Sequence, residues 1–111
     1  MKFEHEAIFC IVNSGYSEVV MDEAKKLGAR GGTVINARGT ASKEAEAFFG
    51  VTVEPEKEII MILVSAKKKD AILSALYENV GLSSAGQGIA FSMPVDGVVG
   101  LSKETTEKEQ A

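Results

Sequence analysis

Two six-residue stretches, Ala-Ile-Phe-Cys-Ile-Val (Ala7 to Val12) and Ile-Ile-Met-Ile-Leu-Val (Ile59 to Val64), constrain this chain more than any other feature. Each is far shorter than the roughly 20 residues a membrane-spanning helix needs, and each is rich in β-branched residues. Side chains of a strand alternate between its two faces, so a run that is apolar throughout asks for burial on both sides. The chain has 111 residues, 45% hydrophobic and 25% charged, which suits one domain with one core. Whatever fold it adopts must cover both faces of two strands with little material.

The segments between these runs supply the rest of the pattern. Glu4 to Val12 reads as the first strand. Ser17 is the expected N-cap of a helix whose Val20, Ala24 and Leu27 form an apolar stripe, with acidic residues early and Lys25 and Lys26 late. Gly28 to Gly32 ends it and leads to a strand from Thr33 to Arg38, closed by Gly39. Thr40 to Pro55 has no clean periodicity and reads as a long loop. A strand from Glu58 to Ser65 follows, then a helix capped by Ser65 with the stripe Ile72, Ala75, Leu76 and Val80. After a glycine-bearing loop come a strand from Ile89 to Met93, Pro94 as a breaker, and a small strand from Val98 to Leu101. Residues 1–101 form the expected domain, and the charged stretch 102–111 a frayed tail.

The order is strand, helix, strand, excursion, strand, helix, strand. This predicts an α+β, ferredoxin-like βαββαβ unit: a four-stranded antiparallel sheet with both helices on one face. The helices cover only that face. The economical cover for the other is another copy of the chain, so a closed homo-oligomer is expected.

Charge narrows the function. A net charge of −4 gives no general attraction to nucleic acid or to an anionic membrane. Cys10 is the sole cysteine and His5 the sole histidine, and as strand residues an odd number of positions apart they face opposite ways, so they make a poor shared metal site. A short apolar run preceded by glutamates is wrong for a secretory signal, and the expected location is cytoplasmic. No Ser-His or paired-carboxylate arrangement for catalysis is evident, and no enzyme is expected.

The candidate ligand-binding loop is Ser83-Ser84-Ala85-Gly86-Gln87-Gly88. Closely spaced glycines let a backbone bring its N–H groups near an anion, yet no Lys or Arg lies between Asp70 and Ser102. Gln87 offers an amide to a polar ligand edge. Arg38, beside Gly39, could grip a phosphate or carboxylate bidentately, or could be a salt-bridged surface residue. Lys67-Lys68-Lys69 sits at a helix start, where positive charge opposes the macrodipole. It reads as a solvated run or, less readily, as a partner patch.

Gly31 to Gly39 (Gly-Gly-Thr-Val-Ile-Asn-Ala-Arg-Gly), Glu54 to Val64 and Gly86 to Phe91 (Gly-Gln-Gly-Ile-Ala-Phe), taken in order, resemble the P-II nitrogen-regulatory signalling proteins. The likeness runs from the first strand to about Leu101. It implies a homotrimer with helix-free faces inward, adenine-nucleotide clefts between subunits, and a loop, here Thr40 to Pro55, that engages a transporter, enzyme or regulator. By position, the resemblance assigns ligand contact to Thr33, Gly39, Leu63, Gly86 and Gly88. Within the loop, Lys43, Phe48 and Phe49 are the expected partner contacts, although the two phenylalanines could instead fold down on the trimer.

The chain departs from the family at Ile89, where a lysine follows the second loop glycine, and at Gly100 and Ser102, where two late arginines stand. A triphosphate brings about four negative charges, and each charge-assisted hydrogen bond contributes about 1.5–3 kcal/mol, so ADP or AMP is favoured over ATP. The loop between Thr40 and Pro55 has no tyrosine to accept a nucleotidyl group. Alternatives on the same topology are an acylphosphatase-like enzyme, which would want an arginine where the turn has Asn13-Ser14-Gly15, and a structural or metal-binding trimer of the divalent-cation tolerance type. An RNA-binding module would need stacking aromatics and basic flanks, which Glu58 to Ser65 lacks.

Overall fold

The computed structural model describes residues 3–40, 50, 55–82 and 88–101. In chain order the elements are β1 (His5–Asn13), α1 (Ser17–Lys26), β2 (Thr33–Arg38), β3 (Glu56–Ser65), α2 (Ala66–Asn79) and β4 (Gly88–Val95). The strands form one antiparallel sheet in the order β2-β3-β1-β4, the expected βαββαβ arrangement. The two apolar runs are its central pair, paired from His5 opposite Ser65 to Asn13 opposite Lys57.

Alternation sorts that pair into two faces. Ile8, Cys10 and Val12 of β1 and Ile60, Ile62 and Val64 of β3 lie under the helices, where they meet Val20 and Ala24 of α1 and Ile72 and Leu76 of α2, all at most 1% exposed. The opposite face carries Ala7, Phe9 and Ile11, then Ile59, Met61 and Leu63, joined through the register by Ile35 of β2 and by Ile89, Phe91 and Met93 of β4. Ile35, Met61, Phe91, Met93 and Ile89 there are 37–57% exposed. Phe9 and Phe91 stack across neighbouring strands with ring centroids 5.4 Å apart.

Several local expectations are corrected. Ser17 is the first residue inside α1 rather than its cap; Tyr16 holds the N-cap position and makes no side-chain cap bond. The helix start is served from another strand, because Oε1 of Glu58 on β3 accepts hydrogen bonds from the N–H of Gly15 at 2.8 Å and of Ser17 at 3.3 Å. Leu27 is 38% exposed and leaves the α1 stripe, since the chain has turned into the C-cap there. Ser65 does hold the N-cap position of α2 but its side chain makes no cap bond.

Pro94 does not break β4, which runs on to Val95. As an edge strand β4 tolerates a residue with no N–H to donate outward. Val98 to Leu101 is not a strand; it contains Gly100 and an exposed Val99, and it forms no ladder with the sheet.

The lysine run divides its tasks. Lys68 folds over Gly28, so closely that a Cβ there would lie 2.6 Å from its Nζ, which brings a cation to the C-terminal end of α1 where the macrodipole favours it. Lys69 pairs with Asp70 at 3.0 Å. Cys10 has no metal-ligating cluster around it among the described residues, and burial pushes its thiol up to about 11.

Candidate functional site

The sheet has two ends. One joins the start of β2 to the ends of β3 and β4; the other joins the end of β2 to the starts of β3 and β4. Thr33 and Arg38 bound β2 and are separated by roughly 16 Å at the usual strand rise. The sequence-assigned ligand residues divide between these ends.

At the first end, Thr33 and Leu63 line one cavity of about 470 Å³ together with Ala7, Gly31, Gly32, Met61 and Val95. The register explains the meeting: Thr33 lies opposite Met61 and Ala7 opposite Leu63, so all four share the helix-free face. The lining is almost wholly apolar side chain and glycine, with the threonine hydroxyl as its polar side-chain group. Such a lining suits a flat, weakly polar group, with one hydrogen-bonding handle.

At the opposite end, Arg38 lines a cavity of about 520 Å³ with Ser14, Asn36, Ala37, Glu56 and Lys57. The neighbouring Lys57 ammonium donates to Asn13 Oδ1 at 2.6 Å, which ties the β1 end to the β3 start. The Gly39 N–H donates to the Pro55 carbonyl at 2.8 Å and draws the two ends of the long loop together. Sequence alone does not single out Asn36 or Lys57. Asn36 and Arg38 are two apart and share a face, a signal that becomes readable once β2 is known to be a strand.

Gly88 and Ile89 line a third cavity, of about 330 Å³, with Leu73 and Tyr77 of α2, Leu82 and Ala90. Gly88 has φ +149°, and a Cβ there would meet the Ile11 carbonyl at 2.6 Å, so the loop can enter β4 this close to β1 only as glycine. Ile89 is 57% exposed and brings no charge to this end. Gly86 and Gln87, and the loop residues Lys43, Phe48 and Phe49, lie outside the described residues. Gly100, where the resemblance looks for a cation, has φ +98° in the segment beyond β4.

One chain therefore brings Thr33 and Leu63 together but sets Arg38, and separately Gly88 with Ile89, in other cavities. Comparison with known proteins gives these pieces a frame. The family model described as nitrogen regulatory protein P-II matches residues 5–105. No curated protein sequence matches the chain. Among solved structures, the PII-like protein CPII from Thiomonas intermedia K12, described as bound to ADP, AMP and bicarbonate, is similar with a TM-score of 0.66 and 14% identity, over 89% of this chain and 98% of that one. The GlnK-ATP complex of B. subtilis is similar with a TM-score of 0.67 and 20% identity, over 86% and 85% of the two chains. A PII-like signaling protein from Thermus thermophilus is similar with a TM-score of 0.62 and 23% identity, over 86% and 90%.

Proposed function

Since the chain belongs to the P-II family of nitrogen regulatory proteins, whose members are signalling regulators, we propose that it is a trimeric sensor. In this reading it binds an adenine nucleotide between copies and reports the bound state through the loop Thr40 to Pro55. The observation that carries it is the separation of the ligand residues: an apolar slot with Thr33 and Leu63 at one end of the sheet, and Gly88 at the other. In this reading two copies packed through their helix-free faces bring one slot beside the other copy's glycine loop, and one nucleotide spans both.

The base would enter the slot, with the Thr33 hydroxyl as its polar contact, and the phosphates would lie toward Gly86, Gln87 and Gly88. Arg38, at the same end of the sheet as Gly88, is a candidate cation. With Ile89 at the loop's exit the phosphate end is poor in positive charge, which favours AMP or ADP over ATP. Neighbours of this fold are described with ADP and AMP and with ATP, so the class of ligand is one the fold accommodates. The effector would stabilise one conformation of the loop and the target protein would select it, so the two affinities are coupled reciprocally.

Calorimetric titration with ATP, ADP and AMP tests the reading. Binding of AMP or ADP at least about tenfold tighter than ATP is expected, with Ile89→Lys shifting the preference toward ATP. Absence of binding by all three would refute nucleotide sensing.

A further inference from the structure

β4 leaves a row of backbone groups unused. It is an edge strand, and among the described strands it pairs only with β1. Pro94 sits inside its ladder, which continues to Val95 opposite His5. A proline fits there without a lost bond only where the N–H would have pointed away from β1. The Ile11 carbonyl agrees, since it lies 2.6 Å from the place a Gly88 Cβ would take and so is directed at β4, where Ile89 is its partner. Alternation then turns the N–H and C=O groups of Ala90 and Ser92 outward, with Pro94 as the stop.

A groove runs beside that row. Ala90 lies opposite Cys10 and Ser92 opposite Ile8, so their small side chains share the helix-covered face with α2. Leu73, Tyr77, Leu82, Gly88, Ile89 and Ala90 line an open cavity of about 330 Å³, in which Tyr77 is 56% exposed. From Asp70 to Val95 the sequence has two charged residues, Asp70 and Glu78, and both are acidic. Asp70, Leu73 and Tyr77 follow one face of α2, and Glu78 adjoins it. The start of α2 meets Glu4, near the Pro94 end of β4, and its later turns meet Gly88 and Ala90. Glu78 therefore lies toward the Gly88 end of the apolar cavity and Asp70 toward the Pro94 end. Lys69 takes Oδ1 of Asp70 at 3.0 Å, and the Asp70 side chain is 89% exposed.

We infer that this edge takes an extended segment of another protein as a fifth strand along Ala90 and Ser92. An aromatic or large aliphatic side chain of that segment enters the cavity, and a cation two residues to either side faces Glu78 and Asp70. A second copy of the chain does not supply such a segment, because its one pair of cations four apart, Lys26 and Arg30, encloses Gly28. The site is built from α2 and the β4 edge, apart from the slot with Thr33 and Leu63, and does not depend on nucleotide binding.

The test is titration of the full chain, without nucleotide, with the capped heptapeptide Thr-Lys-Val-Phe-Val-Lys-Thr, followed by amide resonances and hydrogen exchange. Saturable binding is expected, with the Ala90 and Ser92 amides gaining protection while Ile89 and Phe91, already bonded to β1, change little. Serine in place of the peptide's phenylalanine should weaken binding by about tenfold or more, and so should Tyr77→Ala in the chain. Glutamate in place of both peptide lysines should weaken it several-fold. Ala90 and Ser92 amides that stay unprotected at millimolar peptide would overturn the proposal, as would equal affinity for the serine peptide. So would protection of these amides in the parent chain alone that is lost on dilution, because a second copy would then hold the edge.

Discussion

The two faces of this sheet are built from the same strands and end in opposite conditions. Under the helices, Ile8, Cys10, Val12, Ile60, Ile62 and Val64 are at most 1% exposed. One position along, the other face sets Met61, Phe91, Met93 and Ile89 at 37–57% exposure. Apolar burial contributes about 25 cal/mol per Å², so a continuous face of this kind left in water is a standing drive toward association. The first face makes the chain fold; the second, in the proposed function, makes it a subunit. The apolar slot with Thr33 and Leu63 opens on the second face, which in the proposed function ties effector binding to assembly.

Substitutions on the two faces should therefore fail differently. Ile62→Ala, on the covered face, should cost about 2–5 kcal/mol in chemical denaturation, by loss of transfer free energy and by the cavity left behind. Phe91→Ser, on the open face, should leave the monomer fold intact by circular dichroism while lowering the mass seen by light scattering, because it removes the Phe9 stack and puts a hydroxyl into the proposed contact between copies. If Phe91→Ser unfolded the chain as Ile62→Ala does, the distinction between the faces would collapse. Glu58→Ala should cost about 1 kcal/mol in the same denaturation, the usual worth of a helix N-cap, even though Glu58 is 41 residues from Ser17 at the helix start it serves.

A further effect is a pH dependence that belongs to the covered face. Folding raises the Cys10 thiol from about 9.0 to about 11 by desolvation, so the folded state holds its proton more tightly than the unfolded chain. The associated stability is present in full below pH 9 and is lost as pH rises toward 11. Denaturation midpoints should fall across that window in the parent chain and fall less in Cys10→Ala.

Much of this is legible in the sequence because it rests on period and on order. The two-faced runs, the helix stripes and the βαββαβ order need only alternation and spacing, and Thr33 with Leu63 follows from the resemblance. What escapes depends on register. The Glu58 carboxylate reaches the start of α1 because β3 lies beside the β1 end, and no local signal marks a cap supplied across 41 residues. Pro94 reads as a breaker in sequence because its tolerance in β4 depends on β4 being an edge. Lys68 looks misplaced at a helix start because nothing local shows the turn at Gly28 beneath it.

The most direct measurement is the mass of the parent chain by sedimentation equilibrium across a dilution series. A species of three times the 11.8 kDa chain that binds AMP or ADP in the same cell is the expected result. A chain that stays at 11.8 kDa and soluble at every concentration, with its open face bare, would contradict it.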